Sequence, residues 1–259
     1  MALEVIEMRF KILLLVLLST FAMADKITLA LAGNVAYAID DLKKEFHKLY
    51  PNIKVQIILG GTGKLTAQIM HKAPYDILMG ANMMYPETLY QKGFAVTRPL
   101  VYAKGSLALV SRTKRDFSKG LALIKEANIK KIAIANPKTA PYGVATFEAL
   151  KNAKLLDELK PKFVYAESIS QTVIYTTKVT DIGFIAKSAL FSSKMAHLKE
   201  GRNWIAIDTK LYAPIEQGIV ILKHGAKNAE VSAFYAFIFS REAQNIFEKF
   251  GYLVGHKRD

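Results

Sequence analysis

The stretch "KITLALAGNVAYAIDDLKKEFHKLYPNIKVQIILGGTGKLTAQI" (residues 26–69) decides the fold class. Lys26–Ala32 is a short apolar run with strand character. It leads into a segment where Val35, Ile39, Leu42, Phe46 and Leu49 fall at helical spacing and line one face. "NIKVQIILGG" is a second strand, and the helical "KLTAQIMHK" follows it at once. A strand, a helix, a strand and a helix in this order specify an α/β unit with parallel strands.

The pattern continues outward from there. "YDILMGAN", "LALVSR", "KKIAIANP", "KFVYAES", "DIGFIA", "NWIAID" and "EQGIVILK" extend the series of strands. Helical segments lie between several of them, notably "GVATFEALKNAKLLDEL" and "ISQTVIYTTK". "NAEVSAFYAFIFSREAQNIFEKFGY" closes the chain as two helices, the second with Ser240 as N-cap and Glu242 in its first turn. Neither a fixed-period repeat nor a flexible linker rich in Gly, Pro or Ser interrupts the series. Two lobes, if present, are joined by extended crossings, with "RPLVYAKGSLALVS" and "APIEQGIVILK" as the candidates. The expected division is a first lobe of residues 25–103 plus 222–259 and a second lobe of residues 104–221.

Ahead of this unit, "MRFKILLLVLLSTFAMA" carries Arg9 and Lys11, then an apolar stretch, then the small-x-small triplet Ala22-Met23-Ala24. This is the pattern of a secretory signal peptide, residues 1–24, with cleavage after Ala24 and translation starting at Met1 or Met8. The chain has no cysteine, which excludes disulfides, thiolate nucleophiles and cysteine metal sites. Its formal net charge is +14. The lysines are scattered along helical segments without a block or an aromatic-interleaved stripe, which argues for a solvated basic surface and against a nucleic-acid partner.

The glycine stretch invites a phosphate-loop reading, and the spacing rejects it. Gly63-Lys64 is followed by Leu65 instead of a magnesium-binding hydroxyl, and Ile58 stands where the leading glycine belongs. The underlying physics survives: Gly60, Gly61 and Gly63 free the backbone after a strand, Thr62 offers a hydroxyl, and a helix begins. Such a junction is either a plain turn or an anion site built from helix N–H groups. Three further junctions share the character: Gly33-Asn34, Pro141-Tyr142-Gly143 and Ser168-Ile169-Ser170. Asn34 is suited to N-capping and also carries amide donors. Four such junctions at strand ends fit a cage for a small anion.

Enzymatic patterns are missing. The five histidines show no metal-ligand spacing, and no GxSxG elbow or triad context occurs. Asp40-Asp41 and Glu167 fit a helix surface or a cap better than an acid/base pair. The expectation is a non-enzyme with no cofactor and no direct metal-cation ligands.

At these junctions the sequence resembles the periplasmic molybdate-binding proteins of ABC transporters, the ModA family. The likeness rests on "ALAGNVAYAIDDLKKEF", "GGTGKLTAQI", "APYDILMGAN", "ANPKTAPYGVATFEAL", "ESISQ", "DIGFIAKSAL" and "SREAQNIFEKFGY". It implies a two-lobed periplasmic-binding-protein fold, type II-like, each lobe a mixed, mostly parallel sheet flanked by helices. It further implies a monomer in the periplasm that captures molybdate, and tungstate with it, for a membrane permease. Another tetrahedral oxyanion such as sulfate or phosphate is the alternative ligand. By resemblance, Asn34, Gly61, Thr62, Gly63, Tyr142 and Ile169 hold the oxyanion. One position departs from the family. Some members carry a tyrosine where this chain has Ala186, and the Tyr142 hydroxyl is the candidate replacement.

Overall fold

The computed structural model describes residues 26–255; the expected signal segment lies outside them. The chain forms two five-stranded sheets with helices on their faces. The first sheet contains β1 (Lys26–Ala32), β2 (Lys54–Gly60), β3 (Ile77–Met79) and β4 (Leu100–Gly105), together with β10 (Ile215–Ile221), in the order β2-β1-β3-β10-β4. The second contains β5 (Leu107–Val110), β6 (Ile132–Ala135), β7 (Phe163–Ala166), β8 (Ile182–Ala186) and β9 (Trp204–Ala206), in the order β7-β6-β8-β5-β9. In each sheet only the fourth strand runs against the rest: β10 is antiparallel to β3 and β4, and β5 to β8 and β9. The other strands share one direction, so each sheet is mixed with a parallel core.

Burial follows from the residue pattern. Successive side chains of a strand point to opposite faces. Ile27, Leu29 and Leu31 of β1 join a core with α1 (Ile39–Leu49), while Ala30 faces α2 (Thr62–Met70) and α3 (Met84–Gln91) on the other side. Sheets covered on both faces need apolar residues at nearly every position, which accounts for the continuous run "LALA". The second sheet packs Ile132, Ile134 and Phe184 against α4 (Pro141–Asn152), with the short α5 (Leu156–Leu159) and α6 (Ile169–Lys178) completing that lobe. The chain ends in α7 (Ala229–Phe237) and α8 (Arg241–Lys249), both on the first sheet, where Phe234 and Phe237 lie 5.0 and 5.4 Å from the Phe46 ring of α1.

Several expectations shift. Strand β10, expected in the second lobe, inserts between β3 and β4, so the return crossing comes before Ile215 and not at residue 221. The outward crossing is also displaced: β4 runs to Gly105, and β5 starts at Leu107. Helix α1 begins at Ile39, and Val35–Tyr37 form a separate 3-10 turn. Leu49, expected on the buried face, is 69% exposed, because it ends the helix beyond the reach of the sheet. Helix α4 starts at Pro141, ahead of the helical segment "GVATFEALKNAKLLDEL" expected from the sequence. Proline is preorganised for the first helical position, where no N–H partner is needed.

Candidate oxyanion site

The carboxyl ends of β1, β2, β6 and β7 meet across the cleft between the two sheets. A small cavity lies there, lined by Ala32, Gly33, Asn34, Gly60, Gly61, Thr62 and Ala81 of the first lobe and by Ala140, Pro141, Tyr142 and Ile169 of the second. Five of the six residues expected at the site are therefore brought together. The exception is Gly63, whose N–H donates to the Thr139 carbonyl across the cleft at 3.4 Å. This glycine ties the lobes to each other, and its N–H is taken. Lys64 is exposed on the first turn of α2 and does not line the cavity.

The lining carries no formal charge. Its polarity comes from helix starts. Backbone N–H groups in a first helical turn have no intrahelical acceptor. Those of Thr62, Tyr142 and Ile169 find no protein acceptor among the described residues. Neither Gly61 nor Ala140, the residues preceding α2 and α4, makes a side-chain cap. Thr62 adds a hydroxyl. Its Oγ accepts the Ala81 N–H at 3.1 Å, which leaves the hydroxyl hydrogen to donate elsewhere. Beside one buried acceptor, the Asn34 Oδ1, the arrangement offers these donors and the partial positive charge of helix N-termini, the chemistry that receives a small anion.

Asn34 acts differently from the expectation. It sits in helical backbone before the 3-10 turn and makes no side-chain cap. Its amide nitrogen donates to Gln217 Oε1 at 2.7 Å and to the Tyr252 hydroxyl at 2.8 Å. Its carbonyl accepts from Tyr252 and from Ser188, both at 2.9 Å. The amide donors are thus committed within the protein, and they hold the turn after β1 in place. Gln217, Tyr252 and Ser188 were missed by sequence reasoning. A glutamine within the apolar "EQGIVILK" was the available signal, since a polar side chain in a buried strand needs a partner.

Tyr142 is fully buried, and its hydroxyl packs on the backbone of Gly105, where any side chain would collide with it. Burial pushes the phenol well above its ordinary pKa, with a polar contact from Asn34 opposing part of the effect. Ala186 is buried in β8 and does not line the cavity.

Comparison with known proteins places the chain in a family. Residues 27–253 match the family described as bacterial extracellular solute-binding protein. The chain is 33% identical over 202 residues to the molybdate-binding protein ModA of Rhodobacter capsulatus, covering 77% of each chain. It is 32% identical over 238 residues to the ModA of Azotobacter vinelandii, covering 91% of this chain and 93% of that protein. The solved structure of the Azotobacter vinelandii periplasmic molybdate-binding protein superposes with a TM-score of 0.82 at 29% identity, covering 89% of this chain and all of that one. The chain belongs to the bacterial extracellular solute-binding proteins, within the ModA family.

Proposed function

We propose that this chain captures molybdate, and tungstate with it, in the periplasm and presents it to an ABC-type permease as a monomer. The observation that carries the reading is the uncharged cavity into which helix starts from both lobes point unpartnered N–H groups beside the Thr62 hydroxyl. Each hydrogen bond to a charged oxygen contributes roughly 1.5–3 kcal/mol, so several together outweigh the ordering of two lobes around a small ion. Discrimination against the smaller sulfate then rests on cavity size, because both ions present the same acceptor chemistry. The likeness to the two ModA proteins favours molybdate. We read the site as a binder without catalysis and without a resident cofactor. Its lining supplies donors but no nucleophile beside a base.

The test is thermal melting of the mature protein with micromolar molybdate, tungstate, sulfate and phosphate. A ligand that binds only the folded state raises the melting temperature by mass action. Molybdate and tungstate are expected to produce the large shifts. A flat response to both would refute the assignment.

A further inference from the structure

Gly33 lies between β1 and Asn34, on the wall of the cavity. Its backbone does not occupy the left-handed region, so conformation alone does not require glycine here. Space does. A Cβ at residue 33 would stand 2.6 Å from the Ser170 Oγ, 3.0 Å from the Ser170 Cβ and 3.3 Å from the Ser170 nitrogen. All three atoms belong to the first turn of α6, in the opposite lobe.

The Ser170 hydroxyl is also held in place. It lies 3.1 Å from the Ser168 Oγ, which in turn accepts the Gln171 N–H at 3.2 Å. The hydrogen bond between the two hydroxyls, in which either can donate, keeps that of Ser170 from swinging aside. Between the two serines sits Ile169, which lines the cavity and whose N–H has no protein acceptor among the described residues. Seating Ser170 on Gly33 therefore sets how near Ile169 comes to the donors of the first lobe.

We propose that Gly33 and Ser170 form the seat on which the lobes close, with Ser170 a positioning residue for oxyanion capture. The proposal rests on the oxyanion reading above and adds a steric requirement to it. Bulk at residue 33 holds the cleft ajar, so that ligand escapes faster, while the unliganded protein is unaffected.

A size-exchange experiment tests this by calorimetry and stopped-flow with sodium molybdate, using tungstate and sulfate as parallel probes. Gly33→Ala is expected to weaken binding at least tenfold, mainly through dissociation, with the melting temperature of the unliganded protein unchanged. Adding Ser170→Gly is expected to bring affinity back within about threefold of wild type. Ser170→Val, which adds bulk from the other side, is expected to reproduce the loss should Gly33→Ala fold poorly. Small-angle scattering should show ligand-induced compaction in the wild type and the double variant only. Wild-type affinity in a folded Gly33→Ala or Ser170→Val, or no recovery in the double variant, overturns the seat alone. A wild type that binds none of the three ions overturns the oxyanion reading, and the seat with it.

Discussion

Two groups of helix starts in this molecule are built in opposite ways. At the C-terminal end, Asn228 accepts from the Glu230 and Val231 N–H groups, and Ser240 accepts from Ala243, so α7 and α8 are closed by their own caps. At the cleft, α2 and α4 follow Gly61 and Ala140, which have no side chain to offer as a cap. Helix α6 is intermediate: Ser168 takes the Gln171 N–H, while those of Ile169 and Ser170 stay without a protein acceptor among the described residues. A side-chain cap adds about 1 kcal/mol to a helix start. Leaving it out where two lobes converge gives up stability and keeps the donors available. A missing cap is not in itself the mark of a binding helix, since α1 and α3 also start without one, but at the cleft it leaves donors on the cavity wall.

Breaking the donor side of this contrast should produce the largest effect. Thr62→Ala removes the hydroxyl and also strips the Ala81 N–H of its acceptor. Molybdate affinity is expected to fall roughly ten- to a hundredfold, the loss of one charge-assisted hydrogen bond, with Thr62→Ser retaining most of it. Calorimetry on both variants decides the matter, and equal affinities for alanine and threonine would remove the hydroxyl from the site.

Tyr142→Phe comes next. The hydroxyl lies against Gly105 beside Asn34, and a neutral hydrogen bond contributes about 1 kcal/mol. A loss of roughly fivefold is expected in titrations. Unchanged affinity would dismiss this phenol as an oxyanion donor.

The basic surface should act on rate and leave the uncharged site to set retention. With a net charge of +14, the association rate for an anion is expected to drop roughly twofold or more as salt rises, at constant dissociation rate. Stopped-flow at varied ionic strength separates the two constants, and a salt-sensitive dissociation rate would place a cation in the site.

The capped side of the contrast predicts the reverse signature. Ser240→Ala should lower stability by about 1 kcal/mol, or ~2–4 °C in melting temperature, with molybdate affinity untouched. Smallest of all is the response to pH. Tyr142 is the one titratable group in the lining, and burial raises its pKa, so its hydroxyl stays protonated through pH 9. Because the proton is lost only above the raised value, affinity measured from pH 7 to 9 should be flat. A decline across that range would implicate another ionising group.

Much of this could be read from local sequence. The strand-helix alternation, the glycine-rich junction at Thr62 and the Ile169 helix start all rest on contacts between near neighbours in the chain. What escaped depends on distant ones. The Asn34 amide is held by Gln217 and Tyr252, 183 and 218 residues away, and no periodicity announces such a pairing. The engagement of Gly63 with Thr139 likewise exists only once the lobes have met. The placement of β10 escaped for the same reason, since "EQGIVILK" fits either sheet by composition alone.

That strand has a consequence for how the molecule comes into being. It lies between β3 and β4, so the first sheet has a vacant slot in its interior until residues 215–221 are synthesised. The helices that cover the same sheet, α7 and α8, come later still. A polypeptide emerging from its amino end therefore has an unfinished half for most of its synthesis. The second sheet, built wholly from residues 107–206, is thus complete in the chain before the first one is.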